Sequence, residues 1–165
     1  MLKDSYEFSL IQAYADFGIV IDTNLLILDF VGEYNTAKIS TFKRTVTYTI
    51  NDFLLLRKLM SSFRKVIINQ PILTEAFNLI DSLNNLENYS LNRYLRNRIL
   101  KFADFTSSHK DVLGMKSFDK FGFADASIDL LSSSHLILTD DLRLYGYLSS
   151  QGKPTINFNH IREFN

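Results

Sequence analysis

The sequence predicts an α/β fold, a three-layer α/β/α sandwich built on a central parallel sheet. Short apolar runs recur at Ile19–Ile21, Val66–Ile68 and Leu136–Leu138, each too brief to be a helix. Longer stretches with apolar residues at helical spacing separate them. Strands that are apolar throughout must be covered on both faces, which a parallel sheet flanked by helices provides.

Taken in order, the first 17 or so residues mix charges into every turn and read as an N-terminal extension to a single domain spanning 1–165. Ile19-Val20-Ile21 is the first strand, and a helix follows from about Asn24 or Leu25. Asn51 to Lys65 carries Phe53, Leu56, Met60 and Phe63 on one helical side. The second strand is Val66-Ile67-Ile68. Pro71 then opens a helix through Leu83, because proline suits a first helical turn. Leu86 to Arg98 reads as helix, whereas Ile99 to Phe105 fits helix or strand equally. Ala124 to Ser133 is helical, Leu136-Ile137-Leu138 is a strand, and Asp141 to Ser149 is a helix stopped at Gly152. Thr155 to Phe158 is a last short strand.

Composition narrows the function classes. The 165 residues hold 18 Lys+Arg against 18 Asp+Glu, so no basic excess points to nucleic acid. With Phe 14 and Tyr 8 the chain is too aromatic for disorder. A chain of this length should bury roughly 70% of its unfolded surface. Cys 0 excludes disulfides, thiolate metal sites and a cysteine nucleophile, and fits a reducing cytoplasm. The longest apolar run, Gly18 to Gly32, is too short for a membrane span and is broken by Asp22, Asn24 and Asp29. No signal peptide is visible, so no membrane partner is expected.

The acidic residues fall at particular places. Asp22 follows the first strand directly, Glu75 lies early in the helix opened by Pro71, Asp125 starts the helix after a Gly-Phe turn, and Asp141 follows Leu138-Thr139-Asp140. All are strand exits or helix entrances, which share one edge of a parallel α/β sheet. Each alone could cap a helix, worth roughly 0.5–1 kcal/mol. Asp22 fits capping worst, since it interrupts an apolar stretch where an unpaired carboxylate is costly. Four carboxylates on one edge repel one another, and a hard divalent cation such as Mg²⁺ or Mn²⁺ would relieve that repulsion.

Four segments resemble the PIN-domain family of metal-dependent nucleases, which includes the VapC-type toxins of toxin–antitoxin pairs. VIDTNLLI resembles the family's opening strand with its first acid, Asp22, and Asn24. QPILTEAFNLI resembles its second acidic motif, with Glu75. FGFADASIDLL resembles the third, with Asp125. LILTDDLRLYGYLSSQGKPTINF resembles the closing strand, Thr-x-Asp turn, helix and strand. The likeness covers about residues 18 to 160. It implies a PIN-like sandwich and Mg²⁺- or Mn²⁺-dependent cleavage of RNA, with Asp22, Glu75, Asp125 and Asp141 as catalytic and metal-binding set. Asp140 is a substitute for Asp141, and Asn24 and Thr139 would orient the carboxylates. About seventeen residues before the first strand and the long stretch between Asp22 and Glu75 depart from compact toxins, so a nuclease outside any toxin pair is a close second to the toxin role. An antitoxin and a homodimer both stay open as partners.

Other features add less. Arg93, Arg96 and Lys101 share a broad helical arc and would contact RNA phosphates beside the acidic mouth, with Lys43, Arg44, Arg57, Lys58, Arg64 and Lys65 adding positive charge. Tyr34, Tyr48 and Tyr145 are available for base stacking, though nothing distinguishes them. His109, His135 and His160 lack metal-ligand spacing and read as surface or cap residues. The rivals to an RNase are a non-catalytic PIN-like binding or assembly module and a receiver-like phospho-acceptor domain. The latter needs adjacent acids after the first strand, which are absent.

Overall fold

The structure is a computed structural model that describes residues 5–87 and 90–162, and of residues 82, 84–87 and 90 the backbone alone. Its apolar triplets become a five-stranded sheet: β1 (Ile19–Ile21), β2 (Val66–Asn69), β3 (Ala103–Phe105), β4 (Leu136–Thr139) and β5 (Thr155–Asn157). The strand order is β3-β2-β1-β4-β5 and every pairing is parallel. The chain is therefore an α/β/α sandwich. From β1 it steps outward to β2 and β3, then crosses back to β4 and on to β5. Right-handed crossovers put the helices of the two directions on opposite faces, and the order reverses between β1 and β4.

The helices are α1 (Tyr6–Tyr14), α2 (Thr23–Tyr34), α3 (Ile50–Ser61), α4 (Gln70–Glu87), α5 (Ser90–Ile99), α6 (His109–Leu113), α7 (Phe118–Phe121), α8 (Phe123–Leu131), α9 (Leu142–Ser150) and α10 (Phe158–Arg162). Nine of the twelve residues of α2 are buried, so it is wrapped by protein all round rather than on one stripe. It packs against α3, α4 and α5. Gly32 is where α3 comes closest: a Cβ there would meet the Phe53 ring at 2.4 Å. Each fully buried Leu or Ile of this core contributes about 2 kcal/mol.

The ends of several elements differ from expectation for local reasons. Thr49 and Asp52 form a reciprocal capping box that starts α3 at Ile50. The expected helix from Leu86 is split: Leu86 and Glu87 belong to the end of α4, residues 88 and 89 lie outside the described residues, and α5 begins at Ser90. Phe105 belongs to a strand, and Phe158 turns from β5 into α10. Gly152 does stop the helix before it, at φ +68°. The expected extension folds into α1, which packs on β4 and is tied down where Arg64 N–H donates to the Ala15 carbonyl at 2.8 Å. Residues 1–4 lie outside the described residues. No described helix is long and apolar enough to cross a membrane.

Two carboxylates that break apolar runs are buried as ion pairs. Asp29 accepts two hydrogen bonds from Arg98, at 2.7 and 3.0 Å, and one from Arg57 at 3.1 Å; Arg57 also reaches Glu33 at 2.8 Å. Asp129 accepts from Ser117 at 2.6 Å and from Lys153. Arg57 and Arg98 are thereby committed to the interior, and Arg57 is not the free surface cation its place in the sequence suggests.

Candidate active site

The strand order reverses between β1 and β4, and beyond the carboxyl ends of the strands at such a point is where open α/β sheets bind ligands. Asp22 is the first residue past β1. Its N–H donates to the Leu138 carbonyl at 3.1 Å, so the ladder itself carries the carboxylate to that edge. One carboxylate oxygen caps α2, accepting from Leu25 N–H at 2.9 Å. The other accepts from the Thr139 hydroxyl and from Asp140 N–H at 2.9 Å. Thr139 Oγ1 in turn accepts from Asp141 N–H at 3.0 Å. The Thr-x-Asp turn thus closes a chain of hydrogen bonds across the sheet's switch point, and Thr139 has the orienting place expected of it.

Around Asp22 the neighbouring acid is Asp140. Asn24 donates to Asp140 Oδ1 at 3.0 Å, and the buried Tyr48 hydroxyl donates to Oδ2. Asn159 donates to the Asp140 carbonyl at 2.9 Å. Burial first, and the Asp140 charge second, push the Asp22 carboxyl well above its ordinary range. Burial and the same Asp140 charge push the Tyr48 hydroxyl up as well, so it stays a donor. Tyr48 is no stacking platform: its ring lies against Phe158, at 6.4 Å between centroids, with the Arg162 guanidinium at 5.2 Å.

The remaining acids form a second group. Asp125, in the first turn of α8, is half-buried and accepts no hydrogen bond among the described residues. Burial, then the charges of Asp141 and Glu75, push it up to about 6, opposed by Arg143. Asp141 caps α9, accepting from Arg143 N–H at 2.6 Å and Leu144 N–H at 3.1 Å through one oxygen. Glu75 is exposed on α4 and accepts from the Thr23 hydroxyl at 2.6 Å, which links the two groups through the residue after Asp22. Capping therefore accounts for one oxygen each of Asp22 and Asp141.

Among the described residues no three His, Asp or Glu side chains stand close enough together to hold a metal ion already. The donor chemistry nonetheless suits a hard cation: oxygen ligands only, with Asp22 destabilised by burial and Asp140, and Asp125 by burial, Asp141 and Glu75 against the opposing charge of Arg143.

The basic segments are placed differently from expectation. Arg93 and Arg96 are exposed on α5. Lys101 lies beyond that helix, two residues before β3, and so stands at the amino edge of the sheet, opposite the acids. A parallel strand must be entered from that edge, which is why a segment leading into β3 cannot flank the acidic mouth there. Arg143, in the first turn of α9, is the cation at the mouth; its signal in the sequence was its position two residues after Asp141. His135 is buried, with Nδ1 3.3 Å from the Leu131 carbonyl, and burial lowers its pKa. His109 and His160 take no part in the acidic edge's hydrogen bonds.

Fold and site together define a doubly wound α/β domain with an acidic carboxyl edge. No protein-family model, curated protein or solved structure matches the chain.

Proposed function

We propose that the chain is a PIN-type, Mg²⁺- or Mn²⁺-dependent endoribonuclease. The observation that carries this reading is a pair of acidic groups past the carboxyl ends of the strands, Asp22 with Asp140 and Asp125 with Asp141 and Glu75, joined by the Thr23–Glu75 hydrogen bond, with Asp22 and Asp125 both raised above the ordinary carboxylate range. Asp22, Asp125 and Asp141 would hold the cation, with Asp140 able to take the place of Asp141. Once bound, the cation supplies a more acidic water and stabilises the charge that builds on a phosphodiester in flight. Thr139 and the Asp140 N–H hold Asp22 in a fixed rotamer, and Asn24 and Tyr48 do the same for Asp140. Glu75, oriented by Thr23, is the exposed carboxylate free to position the attacking water and take its proton. Arg143 offers a charge-assisted contact to a substrate phosphate.

Asp22→Asn should abolish Mn²⁺-dependent RNA cleavage and leave the thermal midpoint unchanged or higher, since it relieves repulsion. Cleavage by that variant at the wild-type rate would sink the assignment. A second reading, a non-catalytic binding or assembly module, draws on the lack of a preformed three-acid group among the described residues. Calorimetric titration with Mn²⁺ separates the two: heat of binding supports the nuclease, and its absence supports the module. A cytoplasmic setting and a toxin–antitoxin pairing rest on the cysteine-free composition and the motif likeness respectively.

A further inference from the structure

A second concavity adjoins the acidic edge. A cavity of about 970 Å³ runs along the β3 edge of the sheet, from Ile99 and Phe102 before that strand to the carboxyl ends of β2 and β3, bordered by the first turns of α4 and the head of α8. Glu75 stands on its wall and Ala124, next to Asp125, on another. Its volume is at the upper end for pockets that take small organic ligands, about 300–1,000 Å³.

The lining decides what chemistry it would accept. Phe102, Phe105 and Phe123 supply aromatic surface. These rings are braced rather than loose: Arg98 lies 4.6 Å from the centre of Phe102, His135 meets Phe105 edge-on at 6.2 Å, and Phe118 meets Phe123 edge-on at 6.5 Å. Phe123 is 40% exposed, so its ring is open to a ligand. Gln70, Asn78 and Thr106 add neutral hydrogen-bonding groups. Among the described residues the wall carries the carboxylates of Glu75 and Asp104 and the imidazole of His109, and no Lys or Arg. Such a cavity repels phosphate and accepts a flat, neutral, aromatic group with donors and acceptors around its rim. A nucleobase has that description, since every base offers a π-face and polar edges.

We infer that this cavity is a base subsite that receives one unpaired nucleobase of the RNA substrate, while the attached phosphate faces Glu75 and the switch-point acids. The inference rests on the nuclease reading for the identity of its ligand. It adds a selection rule: a base within a duplex is stacked and paired and cannot enter, so the substrate is single-stranded or looped RNA. The polar rim discriminates among bases less strongly than the aromatic walls retain them.

The test uses a short single-stranded RNA carrying one 2-aminopurine, whose fluorescence is quenched on stacking. It is titrated with wild-type protein in Ca²⁺, a hard cation that oxygen ligands accept and that offsets the charge of the acids facing the phosphate, and a gel run after each titration checks that the RNA is intact. Quenching is expected, and Phe123→Ala, which removes an exposed ring, should weaken binding about tenfold. Asn78→Trp, an exposed position one helical turn from Glu75, should weaken it similarly by filling the cavity. As unlabelled competitors of the 2-aminopurine RNA, the same strand with an abasic nucleotide at that place, or with that base held in a duplex, should compete about tenfold less well than the base-bearing single strand. If abasic, duplex and base-bearing RNAs bind alike, or both variants bind as wild type does, the subsite is refuted. Should Mn²⁺-dependent cleavage persist in that case, the nuclease reading survives without it. Base-dependent binding with no cleavage of any RNA would keep the subsite and remove the nuclease reading. Absence of binding overturns the subsite.

Discussion

Asp125 shows how one carboxyl's surroundings govern stability as well as chemistry. Its pKa is pushed to about 6 in the fold against an ordinary 3.8. Below the lower value both folded and unfolded chains hold the proton, and its charge costs nothing. Between the two the unfolded chain releases the proton and the folded chain keeps it, so stability is lost as pH rises through about 6. Asp22 is raised in the same direction and adds the same sign. In chelator, Asp125→Asn should therefore melt above wild type at about pH 7 and close to it at about pH 4. A gap of equal size at both pH values would contradict that origin. At this scale much was legible: Asp22, Thr139 and Asn24 stand where their motifs suggest. Asp140 is legible only as a substitute for Asp141; its place beside Asp22 is not, because the β1/β4 register sets it. Tyr48 could not be found either, since its partner is 92 residues away.

Elements were legible in proportion to their contrast. The strands β1, β2, β4 and β5 stand out because nearly every residue is buried on both faces. The edge strand β3 has a half-buried, exposed, half-buried pattern, so Ala103-Asp104-Phe105 offers no apolar run to recognise. Helix α1 buries no residue fully, which is why its charges made it read as an extension. Between elements, the Asp29 cluster ties α2 to α3 through Arg57 and to the end of α5 through Arg98. Arg98→Met should cost about 3 kcal/mol, the low end for stranding a buried charge, because Arg57 still faces Asp29. Replacing Asp29 and Arg98 together by Leu and Met should cost much less. Chemical denaturation of the two variants makes the comparison. Equal losses would show that packing volume, rather than charge, explains the cost.

Across the whole molecule, the balance of 18 against 18 conceals a division of charge. The acids gather at the carboxyl edge, Lys101 is on the amino edge, and Arg143 stands at the mouth. Arg143→Glu should weaken RNA binding and lower the slope of log affinity against log salt by about 0.7 for each phosphate no longer neutralised. Lys101→Glu should leave that slope nearly unchanged. Anisotropy titrations over a salt series measure both. If the two variants reduce the slope equally, RNA is drawn to the protein as a whole rather than to one edge.

The hydrogen bonds that join Asp22 to Thr139 and Asp140 span 117 and 118 residues of chain. In translation, β1 leaves the ribosome long before β4 exists to lie beside it, and domains complete only once their last paired strands emerge. A nascent chain therefore carries Asp22 without the partners that hold it. If the protein cuts RNA, the message from which it is being read is safe from it until Thr139 and Asp140 have been made and lie beside Asp22.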